Sequence, residues 1–129
     1  MGIDEIYNQG FEACQSGLYD QAIEKFQQVI AYSSPHELKD NAQYWLAECY
    51  YAQEEFAQAT IEFQKVKQYF PETEKAFDAE LKIAYTYYNL GRIESARNKL
   101  LQLSKEWPQE EYQSRIIVLL EKIRSRQSE

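Results

Sequence analysis

Residues 54–71 read EEFAQATIEFQKVKQYFP, and the same frame occurs twice more, as GLYDQAIEKFQQVIAYSSP at 17–35 and GRIESARNKLLQLSKEWP at 91–108. Ala22, Ala59 and Ala96 stand 37 residues apart, and Gly17, Glu54 and Gly91 keep the same step. So do Tyr19, Phe56 and Ile93, and then Phe26, Phe63 and Leu100. Upstream, Gly10, Ala47 and Ala84 follow it, as do Ala13, Tyr50 and Tyr87. A fixed period of this length marks a stacked repeat, because one supersecondary unit cannot bury its apolar face alone and needs its neighbours to do so.

Each copy holds two helical stripes. In the second copy Leu46, Ala47 and Tyr50 form one, and Phe56, Ala59, Phe63 and Val66 form the other, with a turn between them that carries Gly in copies one and three. The spacing predicts helices at 3–16, 19–33, 35–52, 56–69, 73–89 and 92–106, and a seventh at 109–126. Ser34-Pro35-His36-Glu37 reads as a capping box with Pro at the first helical position, and Pro71 and Pro108 punctuate the equivalent junctions.

Composition agrees with an all-helical chain. Gly and Pro are scarce, at 4 and 3 in 129 residues, and Ala, Glu, Gln, Lys and Leu are plentiful. The length suits a single domain spanning 1–129, with repeats at 3–35, 36–71 and 72–108 and a capping helix at 109–126. The longest apolar run, Ile116–Leu120, is far too short to span a bilayer, so direct membrane insertion is not expected. The opening residues MGIDEIYNQG have neither the basic nor the apolar region of a signal peptide. The chain is therefore expected either to stay in the cytoplasm or to be a domain of a longer protein.

The net charge of −7 is concentrated upstream: residues 1–108 carry 17 acids against 10 bases, and the last 21 residues balance at 4 and 4. Without a basic stripe to neutralise phosphates, nucleic acid is not an expected partner. Cys14 and Cys49 form no CxxC pair and read as small core residues. His36 is the only histidine, so a histidine-based catalytic group or a zinc site has no companions, and there is no glycine-rich phosphate loop. Neither catalysis, nor a cofactor, nor a metal is expected.

The frame resembles the tetratricopeptide repeat: large, small and aromatic residues in the first helix, then Gly, an aromatic, Ala, an aromatic and a closing Pro. The resemblance covers residues 4–108 and implies a right-handed α-solenoid of three helix pairs with a C-terminal capping helix. Two departures stand out. The usual first-helix Trp position holds Ile6, Gln43 and Glu80, and the 37-residue period is longer than the family's standard. The extra turn at each Pro is most similar to the bacterial envelope subtype, which includes the C-terminal domain of the periplasmic Tol–Pal-associated division coordinator and the lipoprotein of the outer-membrane assembly machine. That subtype would place the chain in the periplasm as a domain of a longer protein.

The resemblance also implies where function sits, on a concave face lined by the first helix of each pair. Carried over residue by residue, that face holds Tyr7, Phe11 and Cys14, then Asn41, Tyr44, Glu48 and Tyr51, then Asp78, Leu81, Tyr85, Tyr88 and Asn89. Tyrosine gives large, rigid contact area at small entropic cost, which suits peptide recognition. Some family members clamp a peptide carboxylate with basic residues at these offsets. The corresponding places here hold Tyr7, Phe11, Trp45, Asp78 and Lys82, so no such clamp is expected. Asp4, Glu48 and Asp78 make the face mildly acidic, and the expected partner is an apolar, proline-rich or basic protein segment. The alternative is an assembly subunit that self-associates. The run Ile116–Leu120 is apolar all round, and Ile117 and Val118 exceed what one cap face requires.

Overall fold

The computed structural model describes residues 2–32 and 37–128. Among them lie seven helices and no strand: α1 (Ile3–Gln15), α2 (Tyr19–Ile30), α3 (Lys39–Ala52), α4 (Phe56–Tyr69), α5 (Glu74–Asn89), α6 (Ile93–Glu106) and α7 (Glu110–Ser128). Five of the expected helices lie within two residues of their predicted bounds. The α2–α3 junction differs: α2 stops at Ile30 rather than 33, and α3 starts at Lys39 rather than 35, after a turn at Glu37 and Leu38. Ser34, Pro35 and His36 of the expected capping box lie outside the described residues. Glu37 itself is not helical, and Leu38 occupies the N-cap of α3.

The three intra-pair turns share one construction, which explains the first column of the repeat. Gly17, Glu54 and Gly91 all have left-handed backbones, with φ of 77°, 60° and 78°. Their amides bond back three residues, to the carbonyls of Cys14, Tyr51 and Tyr88. The next amides, of Leu18, Glu55 and Arg92, bond back five residues to Ala13, Tyr50 and Tyr87. This is the Schellman closure of a helix C-terminus. Leu18, Glu55 and Arg92 then cap the following helix, their carbonyls accepting from Ala22, Ala59 and Ala96. One residue thus ends one helix and begins the next. Glycine takes the left-handed conformation without strain, and glutamate does not. We expect Glu54→Gly to raise stability by about 0.5–1 kcal/mol. A thermal melt that fails to move upward would show that the Glu54 side chain has a compensating role.

The chain divides into two compact units, Met1–Ala76 and Phe77–Glu129, with the division falling inside α5. In the first, Phe26, Val29, Ala42, Leu46 and Cys49 form a buried cluster with Ile3 and Ala22. Gly10 faces it so closely that a Cβ would lie 2.9 Å from the Phe26 ring, so the small-residue column is a requirement of close helix approach. In the second unit, α5, α6 and α7 converge on Phe77, Leu81, Ala84, Leu100, Leu103, Ile116, Leu119 and Ile123. Leu81 is 5% exposed and belongs to this core, which corrects its placement on the functional face. Gln113 of α7 donates to the carbonyls of Ser104 (2.9 Å) and Trp107 (2.9 Å), satisfying the open end of α6.

The departures at the first-helix Trp position also have a structural account. Gln43 is 4% exposed and donates to both the carbonyl (2.8 Å) and a carboxylate oxygen (2.9 Å) of Glu62. Glu62 is itself buried and receives Lys65 at 3.0 Å. One step of 37 along, buried Glu80 pairs with Lys99 in the same positions of copy three. Polar residues occupy these interior sites because each has its partner on the second helix of its own pair.

Candidate functional site

Within the first unit the candidate residues of α1 and α3 join an aromatic cluster centred on Trp45. Phe11 meets the Trp45 ring edge-on at 5.2 Å, and Tyr44 does so at 5.6 Å. The Tyr7 ring lies 5.8 Å from Phe26. Tyr44 also touches Phe63 at 5.6 Å, which anchors the surface ring to the core. Lys75, from the first turn of α5, holds its ammonium 4.6 Å over the Tyr44 ring, a cation–π contact. Tyr51 packs on Phe56 at 5.4 Å.

Tyr7, Phe11, Asn41, Tyr44, Glu48 and Tyr51 are all half-buried, each with part of its surface open to solvent. Burial raises the Tyr7 pKa, and the carboxylate of Asp40 adds to the rise while Trp45 opposes it. The hydroxyl therefore stays protonated well past neutral pH and is a donor to any ligand acceptor. The surrounding charge is negative: residues 1–76 carry 13 acids against 5 bases.

In the second unit the candidate residues of α5 meet α7. Asp78 pairs with Arg115 at 2.8 Å. Lys122 lies 5.7 Å over the Tyr85 ring, and Arg126 lies 5.1 Å over the Tyr88 ring while donating to the Tyr88 carbonyl at 3.1 Å. Asp78, Tyr85 and Tyr88 are half-buried and Asn89 is exposed. A second aromatic group, Phe77, Trp107 and Tyr112, packs at centroid distances of 4.5 to 5.5 Å, with Arg115 over the Phe77 ring.

That Arg115 and Lys122 of α7 engage α5 was missed at the level of sequence, yet the signal was present. Arg115 and Lys122 stand 37 residues beyond Asp78 and Tyr85, the partners they contact. The repeat thus continues into α7, which occupies the register of a fourth first helix. Ile117 falls in the column of Ile6, Gln43 and Glu80, the column that elsewhere contacts a second helix, and it is 47% exposed. Val118, its neighbour, is 49% exposed. Glu121 falls in the column of Gly10, Ala47 and Ala84 and is exposed, so the face that is close-packed in the other copies is solvated on α7.

Among the described residues no helix is long and apolar enough to cross a membrane, and no cluster of His, Cys, Asp and Glu is arranged to hold a metal.

Comparison with solved structures agrees with this architecture. The type III secretion chaperone SycD of Yersinia enterocolitica, solved with a peptide of the translocator YopD, superposes with a TM-score of 0.76 at 17% identity, over 96% of this chain and 93% of that one. PcrH of Pseudomonas aeruginosa gives 0.74 at 18% identity over 94% and 90%. The TPR domain of Arabidopsis OM64 gives 0.73 at 15% identity over 96% and 95%. At these identities the likeness is one of fold, an all-α solenoid of helix pairs with a C-terminal capping helix. No curated protein matches the sequence significantly. Models of the tetratricopeptide repeat match residues 13–78 and 78–110. With the first of these alone spanning half of the chain and the in-phase turns and core columns described above, the chain belongs to the tetratricopeptide repeat family.

Proposed function

We propose that the chain is a non-catalytic protein-interaction module that takes an extended or helical segment of a partner protein on the α1/α3 face of its first unit. The observation that carries this reading is the Phe11–Trp45–Tyr44 cluster: rings fixed by their neighbours, anchored to the core through Phe63, yet partly open to solvent. Rigid half-exposed aromatics are the usual anchors of a binding surface. The acidic balance of residues 1–76 favours a basic segment with apolar or proline anchors. Family membership supports the reading, as does the peptide held by SycD of the same fold. Asp78, Tyr85, Tyr88 and Asn89 are assigned a secondary part, since α7 already engages the first three.

The test is affinity capture from envelope and cytosolic fractions of the source cell, with wild type beside Tyr44→Ala. Tyr44→Ala is expected to weaken the partner by about 2 kcal/mol, roughly thirtyfold. Undiminished binding by a folded variant would remove the α1/α3 face from consideration. The 37-residue step supports the envelope subtype as the finer reading, and recovery of the partner from the envelope fraction alone would agree with it.

A second reading, self-association through α7, is favoured by the adjacent exposure of Ile117 and Val118. Under it the sedimentation coefficient rises with concentration, and Ile117→Lys abolishes the rise. A wild-type coefficient that is flat across the micromolar range excludes it.

A further inference from the structure

The two thiols of the first unit, 35 residues apart in sequence, lie against each other, with Cys49 Sγ donating to Cys14 Sγ at 3.6 Å. Both are free; Cys49 is completely buried, and Cys14 is half-buried on the candidate face. From this juxtaposition we infer that Cys14 and Cys49 form a reversible disulfide-exchange site, which a low-molecular-weight disulfide converts into a covalent link between α1 and α3. The site is independent of the peptide-binding reading.

The chemistry assigns each sulfur a role. Cys14 is the accessible one, and its thiolate would accept the hydrogen bond from the Cys49 thiol, which favours the charged form. It attacks one sulfur of the reagent disulfide, forming a mixed disulfide and expelling one thiolate. The Cys49 sulfur, already in contact, then attacks Cys14 Sγ and expels the second thiolate. The two protons given up by the cysteines end on the two departing thiols, so the protein loses two electrons and the reagent gains them. Burial raises the pKa of both cysteines, Cys49 the more strongly, so the pair rests as dithiol. Glu48 adds to the rise at both. The buried position of Cys49 makes it a poor target for the reagent, and its contact with Cys14 Sγ at 3.6 Å makes it the resolving group once Cys14 is modified.

The experiment treats the whole chain with oxidised glutathione and reads intact mass, a non-reducing digest and a thermal melt. The expected result is loss of the mass of two hydrogen atoms, one cross-linked pair of peptides carrying Cys14 and Cys49, and a melting temperature higher by about 10 °C that dithiothreitol reverses. In Cys49→Ser, one glutathione remains on Cys14. A stable glutathione adduct on the wild type, an intermolecular dimer, or two thiols that remain alkylatable after denaturation would each overturn the inference. The wild-type measurements decide it even where the variant does not fold.

Discussion

Phe63→Ala should lower the stability of the chain by about 3–5 kcal/mol, and with it the melting temperature by roughly 10–20 °C. Phe63 is completely buried, as are its equivalents Phe26 and Leu100 one step of 37 to either side. The ring also supports Tyr44 from beneath at 5.6 Å. Its removal therefore opens a cavity beneath Tyr44, on the side of α4 where Ala59 and Val66 are also completely buried. A total stability of about 5–15 kcal/mol leaves little margin for such a loss. Tyr69 is the control. It lies on the same helix, is aromatic and is 62% exposed, so Tyr69→Ala should stay within about 0.5 kcal/mol. Equal melts for the two variants would mean that the periodic frame misassigns the core.

The helices and core columns were legible because the period supplies every position more than once. Gly17, Glu54 and Gly91 illustrate this: glutamate alone would never suggest a left-handed turn, but its place between two glycines does. The start of α3 was not legible: the spacing puts it at 35, and the helix begins at Lys39 after a turn at Glu37 and Leu38. The candidate face was legible as a set of columns and not as a set of contacts. Spacing says that Tyr44 and Leu81 are equivalent, yet Leu81 is drawn into a core with α6 and α7, while Tyr44 keeps a partly open ring under Lys75. The approach of Cys14 to Cys49 left no mark in the sequence. They are 35 residues apart rather than 37, so they occupy different columns, and their meeting depends on how α1 and α3 cross.

The polar pairs inside the helix pairs lead to the other large effect. Glu80 and Lys99 occupy the positions that Gln43 and Glu62 hold in copy two, so the carboxylate and its donor have exchanged helices between the two copies. Lys99→Glu places a second carboxylate beside buried Glu80, and we expect it to cost about 3–5 kcal/mol, the scale of breaking a buried pair. Adding Glu80→Gln recreates the glutamine-to-glutamate arrangement of copy two in copy three and should recover about half of that loss. Full recovery is not expected, because Glu62 also receives Lys65, and the residue 37 further on is Gln102. Replacing both members with leucine should be close to neutral, since desolvating an ion pair offsets most of its attraction. The discriminating quantity is the coupling in a double-mutant cycle measured by urea unfolding. A strongly favourable coupling between Glu80→Gln and Lys99→Glu would show that the repeat specifies a cross-helix hydrogen bond at this column and leaves the identity of the donor free. Additive losses would instead tie Glu80 to the lysine itself, and the likeness between the two pairs would then be one of position only.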